Sequence, residues 1–563
     1  MGDESTQRRR ARPRVDAFTF LLHWGLVAAL LVSLATGLRI ASDYGESTAG
    51  RIAGPLVPVL PEGAVILWHV WSAWILTFIA ISYGAFLWRS RQAVRVALNR
   101  SVWQRLRRRG RWWSNLSTWF AINILIYNVA FVLVGLMALT GWMLYRNTTF
   151  GLSQAGLATF HGLLAIAFLG YILVHVLSQL KTGTFWKMFR PRLDYAAAAG
   201  LAVLFAAVAV TGAAFTDSAV HASYAIARVA GPPRLDGDPA DTVWRAQPAA
   251  RIQTARGANL PGGETTVEVK AVHDGARVYF RFRWSDPQRS QKHLPLVKTS
   301  GGWKVMQSRY EINDEDEYYE DKFAVALAET PKLASGTVHL GQNLIEGPHQ
   351  PATRGLHFTE DGSLLDMWHW KSVRTGGMQP ARVDDNFFGP PRPSDQAGAR
   401  YTGGYSQDPA SGGGYALNWI KLDADRPLGD ARVQPRFLPA RPEVLDQFVE
   451  ADLASTSGDS GRWYLHASEV VPYDPSLDTY PEGTVLPGVV IKGAFGGDRG
   501  DLAAGAEWRD GFWTLEVGRD LDTGSRFDIP FRAGRDLYMW VAVFNHSQTR
   551  HSQHLHPLRL RLQ

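Results

Sequence analysis

The sequence predicts two unlike parts: an all-α transmembrane bundle of five helices, then an all-β antiparallel sandwich. Three observations predict this. Long apolar runs fill the first 215 residues, and after about residue 233 the apolar runs become short and alternating. Charge divides at the same place: residues 1–215 hold 21 Lys+Arg against 7 Asp+Glu, and the remainder 38 against 45. The arginines of the first part flank apolar runs, which is the pattern of membrane topology rather than of nucleic-acid binding. The 563 residues include no cysteine, which excludes disulfides, c-type haem attachment, thiolate zinc and cysteine-ligated clusters.

Residues 1–16 form a basic tail with Arg8, Arg9, Arg10, Arg12 and Arg14. The apolar run behind it is too long for a signal-peptide core, so it reads as an uncleaved first span, 18–38, with His23 near its start. A second span, 64–88, carries His69 near its start. A third, 118–145, has no histidine. The fourth begins near Gly156, and its core, 160–180, carries both His161 and His175. A fifth, 195–215, is alanine-rich. The membrane domain is thus 17–215, with a linker over 216–232 and the sandwich over 233–563.

Loop charge orients the bundle. The tail, the loop 89–111 and the loop after span four hold eighteen Lys+Arg, against Arg39, Arg51 and Arg146 in the other two loops. The positive-inside rule makes the N-terminus cytoplasmic. Five spans then put the C-terminal half in the periplasm of a bacterial inner membrane. Orientation gives each histidine a depth. His23 and His175 lie toward the cytoplasmic side, His69 and His161 toward the outer side. On a helix, His161 and His175 leave one face within roughly 40° of each other and about 21 Å apart. Ionisable groups in a membrane helix are expensive and mark function. Two depth-matched imidazole pairs suit two haem irons, one per pair. A single membrane histidine bonds a neighbouring carbonyl or serves a proton path about as often as it ligates a metal, and that reading weakens when four sort into pairs.

The residues LLHWGLVAALLVSLATG (21–37), IYNVAFVLVGLMALTGWML (126–144) and the HGLLA…VHV helix resemble the membrane b-type cytochrome subunits of nickel–iron hydrogenases and formate dehydrogenases. The resemblance covers about 14–215. It implies two b haems ligated by His23, His69, His161 and His175, and a quinone site near one of them.

In the second part, TVEVKAVHDGARVYFRFRW (266–284) reads as a hairpin about an Asp274-Gly275 turn. RLDGDPADTVW (234–244), EDKFAVAL (320–327), LLDMWHWKSVR (364–374) and WRDGFWTLEVGRDL (508–521) resemble the haem-binding γ subunits of ethylbenzene and dimethyl sulfide dehydrogenases. That resemblance implies a further b haem between two sheets, held by methionine and lysine. Carried onto this chain, the ligand positions fall on His357 and Lys492, with Met367 as the substitute for His357. As ordinary residues, these would be a surface histidine, a packed methionine and a solvated lysine. His546, His551, His554 and His556 read as a polar loop before a last strand. The run DEDEYYED (314–321) lacks the EF-hand spacing and reads as a solvated or docking loop.

These expectations describe a respiratory electron-transfer cytochrome rather than a stand-alone enzyme. Its partners would be membrane lipid, the quinone pool and a periplasmic redox protein or oxidoreductase subunit, with no nucleic acid. The rival is a membrane redox anchor whose haem-free sandwich binds carbohydrate or another ligand by stacking on exposed Trp and Tyr. A further alternative is a plain anchor without cofactor.

Overall fold

The structure is a computed structural model and describes residues 15–42, 48–61, 65–89, 97–107, 114–146, 150–189, 191–192, 200, 203, 206–212, 222–308, 310, 315–331, 363–389, 405–448 and 461–563. The chain divides near residue 220 into two compact units.

Among the described residues, the first unit contains four helices long and apolar enough to cross a membrane. They are α1 (Ala17–Ser42), α2 (Val65–Arg89), α3 (Leu116–Arg146) and α4 (Gln154–Lys181). Each exceeds the roughly 20 residues a bilayer core requires. Apolar side chains such as Leu31, Ile81, Val132 and Leu173 face outward, as acyl chains demand. Polar contacts sit between helices instead. The Asn115 side chain accepts from Ser117 N at 3.0 Å at the start of α3. Gln179 donates to Asn123 at 3.2 Å and Asn123 to Thr182 at 3.3 Å, joining α3 to α4. Val15–Asp16 pairs in parallel with Pro191–Arg192, and Trp24 Nε1 donates to Met188 O at 3.0 Å. The start of α1 and the chain after α4 therefore lie at the same end of the bundle, as four spans require. The fifth expected span falls largely outside the described residues, of which 206–212 are helical.

The second unit is built on one twelve-stranded sheet. Its strands, in chain order, are β1 (Ser223–Arg228), β2 (Ala250–Thr254), β3 (Thr265–His273), β4 (Arg277–Ser285), β5 (Lys322–Ala328) and β6 (Leu365–Lys371), then β7 (Asp384–Phe388), β8 (Tyr405–Gln407), β9 (Ala503–Arg509), β10 (Phe512–Asp520), β11 (Asp536–Phe544) and β12 (Leu558–Leu562). The spatial order is β8-β7-β6-β5-β11-β12-β1-β3-β4-β10-β9, with β2 beside β3. Inward residues recur with period two and enclose one core. They include Val267 and Val269, Phe280, Phe282 and Trp284, Trp368 and Trp370, and Trp513, Leu515 and Val517.

This differs from two packed sheets. The two halves face each other across the core but are hydrogen-bonded into one sheet, because β1 pairs in parallel with both β12 and β3. β1 lies inside the stretch expected to be a linker. Its Tyr224 and Ile226 are buried in the core, so the segment has a hydrophobic reason to pair. The sheet curls until its far edges touch: Val383 N donates to Leu502 O at 3.1 Å and Ala504 N to Ala381 O at 3.2 Å. The 266–284 hairpin forms as expected, with Gly275 at φ 103 and Asp274 accepting from the 276 and 277 amides at 2.8 Å.

The acidic run 314–321 is partly buried where it is described, with Glu317 exposed and Asp316 half-buried. Glu315, Glu320 and Asp321 are fully buried. Glu315 accepts from the 308 and 318 amides, Glu320 from the 373 and 374 amides, and Asp321 from Ser290 N, His546 N and Trp513 Nε1. Sequence composition reads as exposure here, but backbone donors have turned these carboxylates inward.

Candidate functional site

In the first unit, α2 and α4 bring His69 and His161 together edge-on, with ring centroids 6.4 Å apart and planes at 86°. Each ring is held by a threonine of a neighbouring helix. Thr36 Oγ1 donates to Val32 O at 2.7 Å, so its lone pair faces His69 Nδ1 at 3.1 Å. His69 Nδ1 also lies 3.0 Å from Ser33 O. A carbonyl only accepts, so Nδ1 carries the proton and Nε2 is bare. Thr140 repeats the arrangement on α3. It donates to Leu136 O at 2.8 Å and receives His161 Nδ1 at 2.8 Å.

The residue after each threonine is glycine. A Cβ on Gly37 would stand 3.0 Å from His69 Cε1, and one on Gly141 3.3 Å from His161 Cε1. The two Thr-Gly steps thus bond a ring and clear space for its edge. Two imidazoles on opposite sides of one metal ion, at bonds of about 2 Å, place their centroids about 6 Å apart. The residues present fit a haem iron at this position. Arg39, fully buried at the end of α1, donates to Ser42 Oγ at 2.8 Å at the same end of the bundle.

At the other end, His23 lies within electrostatic reach of His175. The His175 ring stacks on Tyr171 at 5.6 Å, and His23 meets Trp24 edge-on at 5.5 Å. His23 Nδ1 is buried and bonds no described residue. Both pairs named from the sequence are thus adjacent.

The second unit treats its expected residues differently. His357 lies outside the described residues. Met367 is half-buried on β6, on the face away from the main core. Lys492 is exposed on a strand, Val489–Gly496, that belongs to a separate three-stranded sheet. No described contact joins these residues.

Sequence reading passed over His369, which shares the Met367 face. Its Nε2 is buried and bonds no described residue. Its ring stacks on Phe544 at 5.4 Å. Burial first, then Lys371, Lys322, Arg374 and His551, hold its pKa well below the usual histidine range, so the imidazole is neutral. On that face His369 lies between Ala324 and Asp384 and Met367 between Ala326 and Asn386, with Ala542 beyond Ala324 and Trp540 beyond Ala326. A neutral imidazole with a buried, unbonded nitrogen has the chemistry to ligate iron. His369 and Met367 are two apart on one strand face, about 7 Å, so they cannot clasp one iron from opposite sides. The signal was available in DMWHWK, where alternation sends the two tryptophans inward and the residue between them outward.

The family signatures turn out to be structural. Glu516 accepts from Asp236 N at 3.0 Å, Gly237 N at 2.9 Å and Trp244 Nε1 at 2.6 Å, tying the 234–244 motif to β10. Among the described residues of this unit no tryptophan is fully exposed, Trp419 and Trp508 being half-buried.

Residues 241–555 match the family model described as ethylbenzene dehydrogenase, and residues 14–191 the one described as prokaryotic cytochrome b561. Two solved structures are similar, both of a carbohydrate binding module family 9 from Caldicellulosiruptor kristjanssonii. The one in complex with glucose is 9% identical with a TM-score of 0.23, covering 60% of this chain and 96% of its own. The one in complex with cellotriose is 8% identical with a TM-score of 0.22, covering 60% and 94%. No curated protein matches the chain.

Proposed function

Since the chain belongs to the ethylbenzene dehydrogenase family and carries a prokaryotic cytochrome b561 domain at its N-terminal end, it is a membrane electron-transfer cytochrome, and we propose that it passes electrons between the quinone pool and a periplasmic redox partner. In this reading His69 with His161 holds one b haem and His23 with His175 a second. A third sits in the C-terminal unit, with His369 as one ligand. The bound haems supply one-electron chemistry. The chain's own residues hold the iron, fix its ligand tautomer and exclude water. Thr36 and Thr140 keep Nδ1 protonated so that Nε2 faces inward. The N-terminus is cytoplasmic and the C-terminal unit periplasmic, as the arginine distribution argues.

One observation carries the reading: two histidines from different helices, with ring centroids 6.4 Å apart, each with Nδ1 in hydrogen-bonding distance of a threonine hydroxyl. The test is haem quantification on the purified chain, with redox titration of its α bands. Three b haems per chain are expected. A colourless preparation from haem-replete cells refutes the reading, and two haems confine it to the membrane unit.

A further inference from the structure

Where the two edges of the large sheet meet, the chain gathers acid. Asp366 on β6, Asp385 on β7 and Asp528 in the loop after β10 each bring one oxygen to within 4.8 Å of the others, and all three are buried. Oxygens sharing one Ca²⁺ at about 2.4 Å stand at most about 4.8 Å apart. Asp408, just after β8, is a fourth and separate observation. It is 3% exposed, it interacts with Asp528, Asp366 and Asp501, and neither of its oxygens accepts a hydrogen bond from a described residue.

Asp366 Oδ1, Asp385 Oδ2 and Asp528 Oδ1 are likewise buried and accept from no N–H or hydroxyl of a described residue, the Asp501 carboxyl being the group beside Asp385 and Asp528. The other oxygens are used: Asp366 Oδ2 by Arg519 Nη1 at 2.7 Å and Ile529 N at 3.0 Å, Asp385 Oδ1 by Asn386 N at 3.0 Å, and Asp528 Oδ2 by Thr523. Buried polar atoms are ordinarily satisfied, and a buried charge more strictly so. Arg519 is the guanidinium among them, and its Nη2 is taken by Ile529 O at 2.6 Å. One cation cannot balance these carboxylates.

We propose that Asp366, Asp385, Asp408 and Asp528 bind one Ca²⁺ ion that staples the two edges of the curled sheet. All the donors are hard oxygens, with no nitrogen or sulfur, and their free atoms with a water or two reach the six to eight ligands Ca²⁺ takes. The position explains the placement. Asp385 follows the 381–383 segment that bonds the opposite edge, and Asp501 precedes Leu502 on that edge. Arg519 opposes the carboxylates from β10.

The test uses the full chain in detergent, stripped with EGTA and titrated calorimetrically with CaCl₂. One saturable Ca²⁺ per chain is expected. The Tm of the C-terminal unit should rise by several degrees with Ca²⁺. Asp408→Asn and Asp528→Asn should each weaken binding at least tenfold. The wild-type titration decides even if a variant fails to fold. Absence of saturable binding overturns the site, as does unchanged affinity in a folded variant. Equal affinity for MgCl₂ overturns the assignment to Ca²⁺.

Discussion

His69 and His161 meet edge-on with ring centroids 6.4 Å apart, and each ring is bonded through Nδ1 to a threonine followed by glycine. The two threonines come from helices α1 and α3, and the two histidines from α2 and α4. All four spans thus contribute to one site, which no single helix could define.

Replacing either His69 or His161 with alanine should lower haem content by one per chain and leave the other pair occupied. Gly37→Ala should act in the same direction more weakly, because its Cβ would press on His69 Cε1 at 3.0 Å. Thr140→Val removes the Nδ1 acceptor and should shift that haem's midpoint potential while retaining the haem. Pyridine haemochrome assay and redox titration read these outcomes. Full occupancy in both alanine variants would remove the basis for the pairing.

His369→Ala should abolish the third haem signal and spare the two in the membrane unit. Lys492→Ala should leave all three, since Lys492 is exposed on a different sheet. Haem stoichiometry separates the two variants, and the reverse result would return the ligand to the position expected from family resemblance.

His554 makes acid a destabiliser. Its Nδ1 donates to His556 O at 2.8 Å and its Nε2 accepts from Val541 N at 2.9 Å, so the ring must be neutral. Burial pushes its pKa down to about 4 from 6.5. Between these values the unfolded chain binds the proton and the folded chain does not. The contribution is complete above about pH 6.5 and is lost as pH falls to 4, a change of about 2–3 kcal/mol. Denaturant midpoints followed by tryptophan fluorescence at pH 7 and pH 4.5 should show the loss, and His554→Gln should flatten it.

Gly237→Ala should unfold or severely weaken the second unit. Gly237 holds φ +81, and a Cβ there would collide with the Glu507 backbone nitrogen. Glu516→Gln is milder: it keeps the shape but weakens bonds to two amides and an indole, at a cost of about 1–3 kcal/mol. Thermal melts of the two variants rank them, and an unperturbed Gly237→Ala would show that the joint does not matter.

Much of this molecule was legible in one dimension. Twenty apolar residues in a row have few alternatives to a membrane helix, because lipid offers backbone groups no partner. Arginine placement then sorts four histidines by depth, and a depth match is a prediction of contact. The 266–284 hairpin follows from alternation about Asp274-Gly275. In each case the cause lies within a few residues of its effect.

Other features had no local signal. The roles of Thr36 and Thr140 depend on rings 33 and 21 residues away. β1 reads as linker until β12, more than 300 residues later, supplies its parallel partner. DEDEYYED looks solvated because composition cannot register the amide and indole donors that surround it. His369 and the aspartates at the sheet seam acquire meaning only when strands distant in sequence lie side by side. Helix and turn formation are short-range events, readable from spacing. The satisfaction of buried polar groups is a long-range one, decided by what the closed fold brings within 3 Å.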